Sequence, residues 1–228
     1  MKHASMRLLS GILLLGIAPY ALPGGASGSY ETLAPLDESE KVPSLGLFLE
    51  KLRVAVKERD ADFVQSALAQ DVALGFGPRE NGIEPEALLS SDSGSKFWQI
   101  LESSIFYGGT FVDQREGGTF CMPYVYSAFP DHLDPIEYQV LITPSVSARS
   151  DPNNAAMPVS LPDFAVVRTN IGSAVTTNDV HGIEWARIYV GDSTAYVPAS
   201  TIRSPLEGRT CLRKRDGYWR ITAVIDGD

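Results

Sequence analysis

The chain has 228 residues, enough for one large domain or two small ones, and 44% hydrophobic and 21% charged content is ordinary for a globular protein with a core. Its formal net charge of −9 repels phosphate backbones and anionic lipid headgroups, which argues against nucleic acid and membrane surfaces as partners.

Residues 1–28 differ from the rest of the chain. Lys2 and Arg7 give a positive start before an apolar run over 8–22, and Pro23-Gly24-Gly25-Ala26-Ser27-Gly28 is small and flexible. This is the layout of a secretory signal peptide, cut after Gly28 with Ala26 at the minus-three position. The apolar run falls short of the roughly 20 residues that a membrane-spanning helix needs. No cysteine lies near the cut to carry a lipid, so no membrane anchor is expected after cleavage, and the location implied is periplasmic or secreted. Residues 29–43 are acidic and proline-containing with little to bury, and read as a disordered leader.

Folded elements begin at residue 44. Over 44–56, positions 45, 48, 49, 52 and 56 share one helical face, with Ser44 as the expected N-cap. Asp60 is a second N-cap, and Phe63, Val64, Ala67 and Leu68 form the apolar stripe of a helix over 61–69. Residues 71–77 read as extended, 85–89 as a helical turn, and 96–106 as a helix with Phe97, Trp98, Leu101 and Ile105 inward. From Gly108 the periodicity changes. Gly108-Gly109-Thr110-Phe111 and Gly117-Gly118-Thr119-Phe120 nearly repeat, and 119–129 reads as a strand. A double glycine can cradle phosphate only between a strand and a helix start; both pairs here precede strand-like residues, so they read as turns.

Residues 138–204 read as short strands separated by turns, the pattern of a small barrel. The runs are 138–143, 164–167, 185–190 and, after the Gly191-Asp192 turn, 194–197. Beyond them, two alternating runs flank Arg215-Asp216-Gly217, and Asp-Gly between such runs is a strong hairpin signal. A hairpin needs a sheet to join, so the last strands are expected to return to the N-terminal region.

Two stretches of the strand-rich segment carry a family resemblance. Val146-Ser147-Ala148-Arg149-Ser150-Asp151-Pro152 resembles the valine-asparagine-valine-arginine-serine-x-proline signature of bacterial SH3-like domains. Trp185-Ala186-Arg187-Ile188 followed by Ala195-Tyr196-Val197 resembles their closing motif. Ser147 stands for the usual asparagine, Ala195 for the usual glycine, and 169–182 is longer than the usual loop. The resemblance implies a small β-barrel that binds peptides or cell-wall components and is seldom catalytic. The flanks, with Arg59-Asp60 between two helices and a closing Gly217-Tyr218-Trp219-Arg220-Ile221 strand, are similar to the cystatin-like cone of the nuclear-transport-factor-2-like superfamily, a fold that does not by itself decide function.

The expected architecture is therefore α+β. Residues 1–28 are the signal peptide and 29–43 the leader. Residues 44–135 with 206–228 form a helical, cone-like half-barrel completed by the last hairpin, and 136–205 form an inserted SH3-like barrel. Cys121 and Cys211 flank the insertion. They are neighbours if their strands share a sheet, which in an exported chain allows a disulfide; the alternative is two buried thiols.

A cysteine-nucleophile enzyme does not fit, because neither cysteine precedes a helix and His132 and His181 fall in loops. Asp131-His132-Leu133-Asp134 lacks a second cluster to hold a metal. No serine elbow, zinc spacing or phosphate loop appears, so no catalytic residue, metal or cofactor is assigned. In the barrel, Tyr196, Arg149, His181 and Tyr189 are the candidates for ligand contact, with Trp185 inward and Arg149 also fit to brace its own loop. In the cone, Phe76, Trp98, Tyr107 and Tyr124 either line a small-molecule pocket or form core. A binding protein for a peptide or cell-wall component leads. A pocket in the cone, as receptor or enzyme, and a purely structural barrel are the alternatives.

Overall fold

The computed structural model describes residues 30–75, 89, 96–113, 118–169 and 176–227. The signal peptide expected at 1–28, Phe76 and all but one residue of the turn at 85–89 lie outside these. The chain is an α+β fold with two sheets.

Helix α1 (Pro43–Glu58) buries Leu45, Leu49, Leu52 and Val56, the face that the spacing marks out. Its N-cap is Val42, not Ser44. Pro43 takes the first helical position, where its missing N–H costs nothing, and Ser44 Oγ instead accepts a hydrogen bond from Trp219 Nε1 at 3.1 Å. The helix stops at Arg59, in the left-handed region at φ 57°. Asp60 caps α2 (Ala61–Ala67), its carboxylate accepting the Phe63 N–H at 2.9 Å. Strand β1 (Leu68–Ala73) follows directly, so the helix is shorter than its apolar stripe suggests. Helix α3 (Lys96–Ile105) buries Phe97, Trp98, Leu101 and Ile105.

The first sheet has the order β1-β13-β12-β3-β2, with β2 (Thr110–Phe111), β3 (Phe120–Met122), β12 (Arg209–Arg215) and β13 (Tyr218–Ile225). The last hairpin turns at Asp216 (φ 50°) and Gly217 (φ 85°), the two positive φ angles that a two-residue turn of this hand requires. Its strands join β3 on one side and β1, in parallel, on the other. Side chains of α1, α3, β3, β12 and β13 fill one core, including Leu49, Trp98, Phe120, Leu212 and Ile221.

The strand expected over 119–129 ends at Met122. Pro123 has no N–H to continue the ladder, and the chain turns into a short helix, α4 (Tyr124–Ser127). Gly108 and Gly109 serve packing. A Cβ on Gly109 would sit 2.2 Å from the Cys121 carbonyl oxygen, and one on Gly108, at φ 65°, 2.7 Å from that of Leu36.

Cys211 lies directly opposite Cys121 across β12 and β3, and the two form a disulfide with an S–S distance of 2.05 Å. The bridge closes a loop that holds the whole second sheet.

That sheet comprises β4 (Tyr138–Leu141), β5 (Ala148–Arg149), β6 (Pro158–Val159), β7 (Val166–Arg168), β8 (Thr176–Asn178), β9 (Glu184–Val190), β10 (Ser193–Pro198) and β11 (Ile202–Arg203). The order is β11-β4-β7-β9-β10-β5-β6, with β8 also on β9, and every pairing is antiparallel. Among the described residues the path is open rather than closed into a barrel. Both ends are two-residue strands, and Pro158 on β6 cannot donate to a further neighbour. Leu141, Ala186, Ile188, Ala195 and Val197 form the core on one face. Tyr124 and Val125 of α4 cover Val140 and Val166 on the other.

The segment expected to be a disordered leader is ordered from residue 30 onward. Val166 N–H donates to the Glu31 carbonyl and Leu33 N–H to that of Phe164, both at 2.8–2.9 Å, while Glu38 N–H donates to Gly109 of the first sheet. The strap thus ties both sheets through its backbone. Its acidic side chains are used as well: Glu38 accepts from Lys41 and from the Phe111 N–H, which hold its carboxyl below the usual range.

Candidate functional site

Strands β9 and β10 are joined by the two-residue Gly191-Asp192 turn, which fixes their register. Ala186, Ile188, Ala195 and Val197 enter the core, so the alternate residues Trp185, Arg187, Tyr189, Thr194, Tyr196 and Pro198 belong to the opposite face. Tyr196 lies directly across from Arg187 on β9 and from Arg149 on β5. Residues facing each other in an antiparallel pair share a face, which makes a row of arginine, tyrosine, arginine across three strands.

The row is half-buried. Arg149 donates from Nη1 to the Ala156 carbonyl at 3.3 Å and so braces the β5–β6 connection, while its Nε is buried without a partner. The Nε of Arg187 is likewise buried and unpartnered, and its side chain makes no hydrogen bond or ion pair with any described residue. That is notable in a chain with 28 acidic residues. Arginine carries five N–H donors in a planar fork suited to carboxylates and other paired acceptors. An aromatic ring between two such forks offers stacking area and directed donors together.

Tyr189 lies one step further along the face, and the Arg168 guanidinium sits 5.5 Å from its ring centroid. His181 is exposed, at the connection before β9. Its backbone N–H, that of Ile183 and the Trp185 Nε1–H all donate to Asp179, at 2.8–3.2 Å. Burial pushes the Asp179 carboxyl up, but these three donors and the His181 charge outweigh it and hold the carboxyl below its usual value. Trp185 is fully buried although it belongs to the Tyr196 face rather than to the core face. The structure therefore gathers Tyr196, Arg149 and Tyr189 on one face and leaves His181 to its connecting loop.

The aromatic set expected in the cone divides, with Trp98 in the first core and Tyr107 and Tyr124 together near Arg203. Trp98 is core, with the Arg59 guanidinium 5.1 Å from its ring and Glu102 2.7 Å from that guanidinium. Tyr124 lies in the cluster beneath β4 and β7. Burial first, then Tyr107, push its hydroxyl up to about 12, with Arg203 partly offsetting. Tyr107 remains partly exposed, with Arg203 5.2 Å from its ring. Phe76 is outside the described residues.

His132 pairs with Glu31 of the strap at 2.8 Å. Among the described residues no three His, Cys, Asp or Glu side chains group as metal ligands. Arg187 belongs to the closing motif of the resemblance but is not among the contact candidates read from the sequence, although the Gly191-Asp192 turn already implies its pairing with Tyr196. The chain matches no family model, no curated protein and no solved structure.

Proposed function

We propose that this protein is an exported, non-catalytic binding protein whose second sheet is an SH3-like module recognising a peptide or cell-wall component across the Tyr196 face. The observation that carries the reading is Arg187, a half-buried guanidinium beside Tyr196 with no partner among the described residues. Leaving such a donor unpaired is costly, and a ligand acceptor removes the cost. The resemblance of 146–152 and 185–197 to SH3-like motifs agrees with this use of the face. The cystatin-like cone is the corresponding proposal for the first sheet and its helices.

The row holds and orients a ligand; nothing in it supplies a nucleophile with an adjacent base, which is why recognition rather than turnover is proposed. Export is supported by the buried Cys121–Cys211 bridge, since disulfides persist in oxidising compartments. No helix among the described residues is long and apolar enough to cross a membrane.

The test is retention on peptidoglycan and on immobilised muropeptides. The unsubstituted protein should be retained, and Arg187→Ala and Tyr196→Ala should each weaken retention roughly 30-fold, the loss expected of a central contact of about 2 kcal/mol. Retention that neither substitution changes would refute the assignment of the face.

A further inference from the structure

A cavity of about 610 Å³ opens between the two sheets, at the edge of the second sheet's inner face. We propose that this cleft is a second binding site, for a small organic cation with an apolar body. The inference does not rest on the Tyr196 face. Ala186 and Ile202 belong to the core side of the second sheet, and in β9 Ala186 alternates with Arg187, which points the other way.

Both sheets build the cleft. Gln139 of β4, Glu184 and Ala186 of β9 and Ile202 of β11 line it from one side, and Asp226, just past β13, from the other. The connection between the sheets adds Glu207. The volume falls within the roughly 300–1,000 Å³ typical of small-molecule sites, and the mixture of apolar floor and a few polar groups is the usual composition.

Three features set the ligand's chemistry. The first is charge: the lining holds three carboxylates and, among the described residues, no lysine, arginine or histidine. Asp226 is 2.6 Å from Lys96 Nζ, and Glu207 is 3.6 Å from Arg203 Nε and accepts the Ser204 N–H. Glu184 has no side-chain partner among the described residues, so one negative charge is left uncompensated and a cation is favoured. The second is Gln139. It is only 6% exposed, yet its amide receives no hydrogen bond from any described residue and borders the cavity. The amide is not sealed off from the cavity, so a bound molecule can supply the acceptor or donor that the protein does not. The third is the apolar floor of Ala186 and Ile202, which favours a hydrocarbon portion over a bare inorganic ion.

The experiment titrates the isotope-labelled protein with n-pentylammonium, pentan-1-ol and pentanoate, followed by amide and side-chain NMR shifts. Pentylammonium should saturably shift the Gln139 side-chain NH₂ signals and the Glu184, Ala186 and Ile202 amides, and pentanoate should bind at least about tenfold more weakly. Glu184→Gln should weaken pentylammonium about threefold, the effect of one partly exposed ion pair, while leaving pentan-1-ol unchanged. Arg187→Ala should leave pentylammonium binding as it was, which separates this site from the Tyr196 face. Equal binding of pentanoate and pentylammonium, or shifts that bypass Gln139 for every probe, would overturn the proposal.

Discussion

Replacing both Cys121 and Cys211 with alanine tests how the two sheets are joined. The bridge spans 90 residues of sequence, and on the chain-entropy account closing a loop of that length stabilises by about 4–5 kcal/mol. Every strand of the second sheet lies inside the loop. If the second sheet stays folded while the first opens, the flexible chain shrinks to the two connections, about 25 residues, and the same account gives about 3.5 kcal/mol. For a chain of this length each kcal/mol moves the melting temperature by about 2–4 °C, so the double substitution should lower it by about 7–20 °C.

Circular dichroism melts of the oxidised protein and the variant read that shift, and free-thiol counting under denaturing, non-reducing conditions should find none in the unsubstituted protein. The guanidinium slope supplies a second reading. Without the cross-link the unfolded chain is more expanded, so the slope should rise. A shift below about 3 °C with an unchanged slope would refute the reasoning, because neither loop length predicts so little.

Gly109→Ala should destabilise by about 1–3 kcal/mol in chemical denaturation, since its Cβ would meet the Cys121 carbonyl at 2.2 Å and β3 would have to move. Asp60→Ala should cost about 1 kcal/mol in the same assay through loss of the α2 cap. The Asp179 carboxyl sits below its ordinary 3.8, so its hold on Trp185 is complete above that pH and is lost as pH falls through the lower folded value. Trp185 fluorescence should report that transition on acidification, and Asp179→Asn should abolish it.

The parts of the fold that are legible in the sequence are those whose partners are close along the chain or set by a turn. Asp216-Gly217 announces its hairpin because only residues tolerating positive φ can make that turn, and the returning strands then need a sheet. The Asp60 cap and the buried face of α1 follow from helical spacing alone. The strap escapes such a reading because composition measures what a segment can bury by itself. Residues 30–38 are held in large part by backbone bonds to Phe164, Val166 and Gly109, which nearly any residue other than proline can make. Past Met122, aromatic and β-branched residues suggest a strand, but Pro123 has no donor to continue the ladder and its effect outweighs theirs.

The candidate site divides along the same line. The pairing of Arg187 with Tyr196 follows from counting outward from Gly191-Asp192, yet an arginine in an alternating strand reads as a solvated residue. Its significance depends on what stands opposite it, and that no described carboxylate does so is visible only once the chain is folded around it. The cleft is harder still, because Gln139, Glu184 and Asp226 are brought together by three separate returns of the chain, with no spacing to announce them. The two proposals rest on an unpaired cation on one face of the second sheet and an unpaired anion at the edge of the other, both judged among the described residues, and so predict ligands of opposite charge on its two sides. Arg187→Ala and Glu184→Gln change one face each, so comparing the two variants decides whether those faces act independently.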